Sequence, residues 1–256
     1  MELTMQRANY TDKENWDKHF KGYNLRKIDS ILFDDLFPEY LNHNPKLTCL
    51  EVGCAGGEFL CYLTKAYAYK PYGVDFSDAI EITKRLFVYN SLPEPTLYQK
   101  DFFQWDPVER FDIVCSFGFI EHFEDMEKVI AAHARLLKPG GLLIVTMPNM
   151  ARLQYIFHWL IDRENLAKHN TKIMNLRAIR NALKGLNFEI KHLNYYRTFG
   201  FWTARKEMKT WERVVNWIIS FCGRAIIKIF GKNRPNSMLS PHIVCIARSI
   251  APTPQP

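Results

Sequence analysis

The stretch LEVGCAGGEFL, Leu50–Leu60, decides the fold of this chain. An apolar run ends at Val52, a glycine-rich turn covers Gly53–Gly57, and a helical pattern begins at Glu58. Glycine allows positive φ and lets a ligand approach the main chain, while the first N–H groups of a helix point into the same space. The stretch predicts a strand, a turn and a helix that hold a nucleotide-type ligand, although such turns also occur as plain connections.

Composition limits the class of protein. The chain has 256 residues, of which 47% are hydrophobic and 24% charged, as in a folded α/β domain. Its polar start, MELTMQRANYTDKENW, has no apolar signal-peptide core, and no apolar run approaches the ~20 residues that span a bilayer. We therefore expect a cytoplasmic protein that is neither secreted nor integral to a membrane.

Cysteine and histidine spacing gives no sign of a metal site. The six cysteines form no CxxC pair, which favours reduced thiols. The eight histidines show no ligand spacing such as HxxxH, so we predict no bound metal.

Strand-like and helix-like segments alternate along the chain. Strands are predicted at 47–52, 72–76, 96–101, 111–117, 141–147, 187–196 and 242–248. One or two helices are expected between Tyr10 and Tyr40, and Ser77 is expected to cap the helix after the second strand. This alternation predicts a parallel sheet covered by helices on both faces.

The predicted organisation is a single domain over 1–256. It comprises an N-terminal helical cap (1–45), a ligand-binding core (46–149), helical insertions (150–174 and 202–238) and a closing strand (242–249). The final APTPQP is expected to be a disordered tail.

Acidic and aromatic residues follow successive strands, where ligands of open parallel sheets bind. Asp75 stands 18 positions after Gly57, which suits a carboxylate that accepts hydrogen bonds from ribose hydroxyls. Asp101 suits an adenine amino group, and Phe76 or Phe102 suits a ring face. Each acid alone is better explained as a helix cap, but their joint placement favours a site.

These motifs resemble class I S-adenosylmethionine-dependent methyltransferases. The matching segments cover Thr48 to Asn149 and lie at 51–57, 73–75, 101–102, 111–114 and 136–142, with LLKPGGL at 136–142 the most specific. The resemblance implies a Rossmann-like, seven-stranded, mostly parallel α/β sheet of order 3-2-1-4-5-7-6, whose last strand is antiparallel. It also implies helical insertions that form a lid, and S-adenosylmethionine as the cofactor.

The resemblance implies a set of cofactor-binding residues. Glu51 is expected at the loop backbone or the methionine ammonium, and Phe117 near the methyl donor. The full expected set is Glu51, Gly53, Cys54, Ala55, Gly57, Asp75, Phe76, Asp101, Phe102 and Phe117. Tyr23 and Arg26 are candidates for the donor's carboxylate, although a surface position is the simpler expectation.

Two related classes fit the motifs less well. A dinucleotide-binding dehydrogenase has G-x-G-x-x-G, whereas the glycines here are Gly53, Gly56 and Gly57. A nucleobase amino-methyltransferase carries Asn/Asp-Pro-Pro-aromatic after the fourth strand, where this chain has SFGFIEH at 116–122.

Glu121 and His122 are the candidate catalytic pair. They directly follow the fourth strand, where many small-molecule members of the family place an acid and a histidine. An unperturbed imidazole, with a pKa near ~6.5, is suited to accept the proton of a hydroxyl acceptor. The alternative is that both residues only begin the next helix.

A basic, amphipathic segment near the end of the chain is a candidate for binding the methyl acceptor or a surface that carries it. Trp202–Arg234 holds eight basic and two acidic residues, a net charge of +6 of the chain's +7. Such a segment is suited to bind an anionic membrane surface or a phosphate-bearing substrate. The alternative is a helix that packs on the domain with its charges in water. Gly223 is a position at which the segment could divide into two helices.

The sequence therefore predicts methyl transfer to a small-molecule or lipid-linked acceptor, most simply at oxygen of a sugar, lipid or quinone precursor. Peripheral contact at the inner membrane face is expected through Trp202–Arg234, and nucleic acid is disfavoured because no recognition module is present. The alternative is a non-catalytic S-adenosylmethionine-binding protein that docks through this segment.

Overall fold

The computed structural model describes residues 10–205 and 207–250. Its centre is a seven-stranded sheet of order β3-β2-β1-β4-β5-β7-β6, in which β7 runs antiparallel to both neighbours and the other pairs are parallel. The strands are β1 (Thr48–Val52), β2 (Lys70–Asp75), β3 (Thr96–Gln99), β4 (Phe111–Phe117), β5 (Leu137–Pro148), β6 (Phe188–Tyr196) and β7 (His242–Ser249). The predicted sheet, its order and its closing strand are confirmed.

Helices cover both faces of this sheet. They are α1 (Lys13–Phe20), α2 (Glu58–Tyr67), α3 (Ile80–Tyr89), α4 (Met126–Arg135), α5 (Arg152–Ile161), α6 (Arg163–Leu166), α7 (Leu176–Leu183) and α8 (Thr210–Phe230). Side chains alternate along each strand, so Leu50 and Val114 pack in a core with α4 and α7, whereas Cys49 and Ile113 pack in a second core with α2 and α3. Burial on both faces explains why the central strands are apolar at almost every position.

The N-terminal region contains one of the one or two helices expected between Tyr10 and Tyr40, namely α1. Between α1 and β1, the described residues add one 3-10 turn at Phe37–Glu39, which carries a proline. The intervening chain buries Ile28 and Phe33 in the core without forming a helix, and Phe33 has a φ of 76°. The helix-like spacing of apolar residues in this part of the chain arises because a loop buries some of its residues in the core and exposes those between them.

The predicted cap at Ser77 is wrong. Its hydroxyl donates to Asp75 Oδ1 at 2.6 Å, and α3 begins three residues later with Ala79 as N-cap. Ser77 therefore positions a carboxylate rather than a helix end.

Both segments that were predicted as helical insertions contain helices. The first is broken into α5, α6 and a 3-10 turn, Thr171–Ile173. The second is one 21-residue helix, α8, which Gly223 does not divide. A Cβ at Gly223 would lie 2.0 Å from Phe199 Cε1, so this glycine lets α8 pack closely on the preceding loop.

Other sequence expectations concern membranes, thiols and the tail. In the part of the chain that the structure describes, no helix is long and apolar enough to cross a membrane. All six cysteines are free thiols, and Cys222 alone among them is exposed. The expected disordered tail lies outside the described residues.

Candidate active site

The glycine-rich turn forms one wall of a cavity at the carboxyl ends of β1, β2 and β4. Gly53, Gly56 and Gly57 all have positive φ, between 68° and 82°, a conformation that side chains with a Cβ rarely adopt. A Cβ at Gly53 would lie 2.6 Å from Phe119 Cδ2, and one at Gly56 would lie 2.6 Å from Phe20 Cε1. Glycine therefore keeps this side of the cavity open down to the main chain.

Glu51 connects β1 to the first turn of α2. The N-cap residue, Gly57, has no side chain, and Glu51 Oε2 instead accepts from the Leu60 N–H at 2.9 Å. Burial, with a smaller contribution from nearby Asp75, raises the pKa of Glu51 to about 8 against the opposing effect of the Leu60 hydrogen bond. Glu51 also lines the cavity, so its carboxyl group is available to a ligand there.

Asp75, at the end of β2, lines the same cavity beside the glycine-rich turn. Its Oδ1 accepts from the Ser77 N–H at 2.8 Å and from the Ser77 hydroxyl, and its Oδ2 accepts from the Ala55 N–H at 3.1 Å. Burial raises the pKa of this carboxyl group, and the three hydrogen bonds counteract the shift. These bonds leave acceptor capacity at Oδ2, on a side chain whose orientation is fixed.

The cavity has a volume of about 360 Å³. That value lies within the ~300–1,000 Å³ typical of small-molecule pockets. Helix α1 contributes Trp16, His19 and Phe20 to the walls, and its Lys13 forms an exposed ion pair with Asp78 at 2.7 Å. The lining is Trp16, His19, Phe20, Tyr23, Glu51, Gly53, Ala55, Gly56, Gly57, Glu58, Phe59, Asp75, Phe76, Phe117, Gly118 and Phe119.

The side chains of Tyr23 and Arg26 are both hydrogen-bonded within the protein. Both contact Glu58 in the first turn of α2: the Tyr23 hydroxyl donates to Oε1, and Arg26 donates to both oxygens, with Nη2 2.6 Å from Oε2. They therefore fasten the N-terminal region to the glycine turn.

Three predicted cofactor-binding side chains lie outside this lining. Cys54 is buried, and a Cβ at Gly73 would lie 2.5 Å from its Sγ, so only its main chain belongs to the turn. Asp101 accepts from the Phe103 N–H at 2.9 Å, and Phe102 packs in the core with its ring 4.8 Å from that of His133. A tight turn immediately after β3 explains both positions.

Phe117 separates this cavity from a second, larger one of about 930 Å³. Its ring stacks on Phe59, with the centroids 3.9 Å apart and the planes 5° from parallel. The larger cavity has apolar walls that include Phe33, Met150 and Trp202. A molecule in either cavity therefore reaches the common wall at Phe117 and Gly118.

Glu121 and His122 line the larger cavity from a short 3-10 turn after β4. His122 Nδ1 donates to the Lys168 carbonyl at 2.9 Å, which leaves its Nε2 3.9 Å from Glu121 Oε1. Burial lowers the pKa of His122 to about 3, and burial raises the pKa of Glu121 to about 8. The imidazole is thus neutral, and its base strength is well below that of an exposed histidine.

His169 completes a cluster that no sequence spacing indicates. It lies after α6, 47 positions beyond His122, and the two rings are 4.8 Å apart. Together with Glu121 they place three possible metal-ligating atoms within 4.8 Å of one another. Sequence spacing, from which no metal is predicted, does not indicate this cluster, because the segment after α6 supplies its third member.

Comparison with known proteins gives the family. A model described as a methyltransferase domain matches residues 13–193. The ubiquinone biosynthesis O-methyltransferase of Rhodopseudomonas palustris is 29% identical over 164 residues, which cover 57% of this chain and 64% of the relative. Protein arginine N-methyltransferase 1 of Schizosaccharomyces pombe is 32% identical over 152 residues, which cover 54% and 44%. The matches thus span less than two thirds of either relative.

Solved structures agree on the fold. The N-methyltransferase NodS of Bradyrhizobium japonicum, in complex with S-adenosyl-L-homocysteine, aligns over 93% of this chain and 97% of its own with a TM-score of 0.55 and 14% identity. The glycine wall, the fixed carboxylate of Asp75 and the half-exposed ring of Phe76 suit an adenosyl ligand. This chain therefore belongs to the methyltransferase-domain family, the S-adenosylmethionine-dependent proteins built on the Rossmann-like sheet.

Proposed function

We propose that this protein transfers a methyl group from S-adenosylmethionine to an oxygen atom of a small or lipid-linked acceptor. The observation that carries the proposal is that two cavities share Phe117 and Gly118 in their walls. The first is lined by the glycine turn and Asp75, and the second by Glu121, His122 and a mixture of apolar and polar residues. A donor in the first and an acceptor in the second would meet at this wall. Methyl transfer requires that in-line approach, with water excluded.

Residues of the smaller cavity have the chemistry needed to hold the donor. Asp75 would accept hydrogen bonds from the ribose hydroxyls, main-chain groups of Gly53–Gly57 would contact the methionine part, and Phe76 would cover the adenine. Glu51, buried beside the turn, would face the ammonium group. Asp101 and Phe102 are left out of this proposal, since neither side chain lines the cavity.

The donor's sulfonium supplies an electrophilic methyl group. The acceptor oxygen loses its proton and forms a bond to the methyl carbon, while the electron pair of the broken carbon–sulfur bond stays on sulfur. Glu121 and His122 would act on the acceptor hydroxyl, and the proton would pass to His122 Nε2 or to water. Apolar side chains of the larger cavity would bind the rest of the acceptor and exclude solvent.

Oxygen is the favoured atom for two reasons. Several relatives are named ubiquinone biosynthesis O-methyltransferases, including those of Rhodopseudomonas palustris and Rickettsia typhi. A cavity of about 930 Å³, whose walls include Phe33, Met150 and Trp202 among polar residues, also has room for a phenolic ring that carries a hydrocarbon chain. A quinone precursor is therefore the first acceptor to test.

The function is tested by supplying S-adenosylmethionine and a cell lipid extract to the purified protein and searching by mass spectrometry for a product that gains one methyl group. We expect such a product together with stoichiometric S-adenosylhomocysteine. Donor binding without any product from lipid, sugar or phenolic extracts would support the alternative of a non-catalytic binding protein.

A second proposal concerns α8, whose outer side suits an anionic lipid surface. The exposed α8 face, defined here as Trp211, Val214, Trp217, Ile218, Phe221 and Ile229, follows one side of the helix. The opposite side buries Glu212, Ile219 and Gly223 against the protein. An exposed apolar stripe of this kind is typical of an interaction surface rather than of a solvated helix.

Charge favours a membrane as the occupant of this face. Arg213, Arg224 and Lys228 are exposed on the same helix and would lie near lipid headgroups when the aromatic rings enter the interface. Trp217 and Phe221, whose rings stack at 5.5 Å, form the centre of the face. Contact with a membrane would also bring a lipid-linked acceptor close to the protein.

We expect the protein to sediment with phosphatidylglycerol vesicles and much less with phosphatidylcholine vesicles. Replacing Trp217 and Phe221 together with serine should lower vesicle affinity at least tenfold, since burial of each ring is worth about 1.5–3 kcal/mol. Val108→Ser, which removes an apolar side chain that is 99% exposed elsewhere, is the matched control and should bind normally. Equal binding by both variants, or a dimer formed through α8, would contradict the proposal.

A further inference from the structure

Glu121, His122 and His169 have features of a metal site that the fold alone does not require. All three line the larger cavity, and one possible ligand atom from each lies within 4.8 Å of the other two. Two imidazoles and one carboxylate are a ligand set that divalent transition-metal ions bind while leaving positions open for another molecule.

Hydrogen bonds fix which imidazole nitrogens are free. A carbonyl oxygen only accepts, so His122 Nδ1 must donate to Lys168 O at 2.9 Å, and His169 Nδ1 must donate to Asn165 O at 2.6 Å. The lone pair of each neutral ring is then at Nε2. Metal-binding histidines characteristically donate their other ring N–H to a carbonyl or carboxylate in this way, which orients the ring.

Glu121 provides the one carboxyl group of the cluster. Its side chain is 1% exposed, and Oε2 has no hydrogen-bond partner among the described residues. A buried carboxyl oxygen without a partner is costly, and a bound cation would remove that cost. Its Oε1 is already 3.9 Å from His122 Nε2.

We propose that Glu121, His122 and His169 bind a divalent transition-metal ion of the Zn²⁺ type at the wall of the larger cavity. Metal–ligand distances of ~2.0–2.2 Å require the three ligand atoms to approach one another by about 1 Å. The open positions of the ion would face the cavity, where the acceptor hydroxyl lies if the proposed function holds. A cation there would lower the pKa of that hydroxyl.

Spacing explains why this site is not evident in the sequence. Glu121 and His122 are adjacent, but the second histidine follows 47 positions later in an irregular segment after α6. The backbone joins the two segments, since the Asn170 N–H donates to Glu121 O at 2.8 Å. That contact places His169 beside the pair before any ion binds.

The test is calorimetric titration of chelator-treated full-length protein with Zn²⁺, in the absence of donor and acceptor. A Cys222→Ser background removes the one exposed thiol, which could bind zinc by itself. We expect one ion per chain, and a loss of affinity of at least tenfold in each of His169→Ala, His122→Ala and Glu121→Gln. His43 is an exposed histidine that lines neither cavity, so His43→Ala should bind Zn²⁺ as the parent does.

Circular dichroism and thermal unfolding of each variant separate lost ligation from misfolding. No binding by folded protein, or one-to-one binding that survives both His169→Ala and Glu121→Gln, would overturn the inference. Because the titration uses neither substrate, its failure leaves methyl transfer standing, whereas Zn²⁺ binding at these residues without any methylated product would retain the site and reject the proposed function.

Discussion

Replacement of Asp75 with alanine should weaken S-adenosylhomocysteine binding about 100-fold or more, because two hydrogen bonds to a charged group are worth roughly 3 kcal/mol or more together. Asp75 Oδ1 and Oδ2 are held by Ser77 and Ala55, so the carboxylate is already oriented before a ligand binds. The measurement is calorimetric titration of the purified protein with S-adenosylhomocysteine.

Two control variants isolate the carboxylate. Ser77→Ala removes one hydrogen bond to Oδ1 but keeps the charge and the Ser77 N–H contact, and it should weaken binding less than tenfold. Asp75→Asn keeps the size of the side chain and should bind almost as poorly as Asp75→Ala. Normal affinity in a folded Asp75→Ala protein would remove Asp75 from the donor site.

The sheet could be predicted because its signals are local. The turn at Gly53–Gly57 requires positive φ, and each apolar strand is followed by a helical pattern, so alternation alone indicates a covered parallel sheet. Strand order, in contrast, came from the family resemblance, because no local pattern states which strands pair.

Errors arose where tertiary packing decided the conformation. Ile28 and Phe33 are buried by a loop, so their spacing resembled a helix that does not form. Serine is a common N-cap residue, but the hydroxyl of Ser77 donates its hydrogen bond to the buried carboxylate of Asp75 instead of capping α3. Gly223 has low helix propensity, but it lies within α8 where Phe199 leaves no room for a Cβ.

The residues of the candidate site likewise fall into those that the sequence identified and those that it did not. Asp75 and Phe117 are the last residues of their strands and Gly53 follows β1 directly, which is why sequence could identify these cavity-lining residues. Trp16 of α1 and His169 reach the cavities from distant segments, and no spacing rule connects them to β4. Asp101 and Phe102 follow β3 as expected, but the turn there directs both away from the cavity lining.

His122→Ala should abolish turnover while leaving donor affinity unchanged. His122 lines the larger cavity, and donation from Nδ1 to the Lys168 carbonyl leaves the lone pair of its neutral ring on Nε2, which an alanine methyl group does not replace. We expect a fall in kcat of roughly 10²–10⁴-fold, the usual contribution of a positioned acid–base group. Calorimetry with S-adenosylhomocysteine should give the parent affinity, because His122 does not line the donor cavity.

His192→Ala is the matched control for removal of an imidazole. His192 is a half-buried residue of β6 whose ring contacts the Tyr40 hydroxyl, and it lines neither cavity, so kcat should stay at the parent value. Parent turnover in His122→Ala would exclude His122 from the chemistry. If His169→Ala loses kcat to the same extent as His122→Ala, the two rings act together on the acceptor, since a lone base at His122 would not need its neighbour 47 positions away.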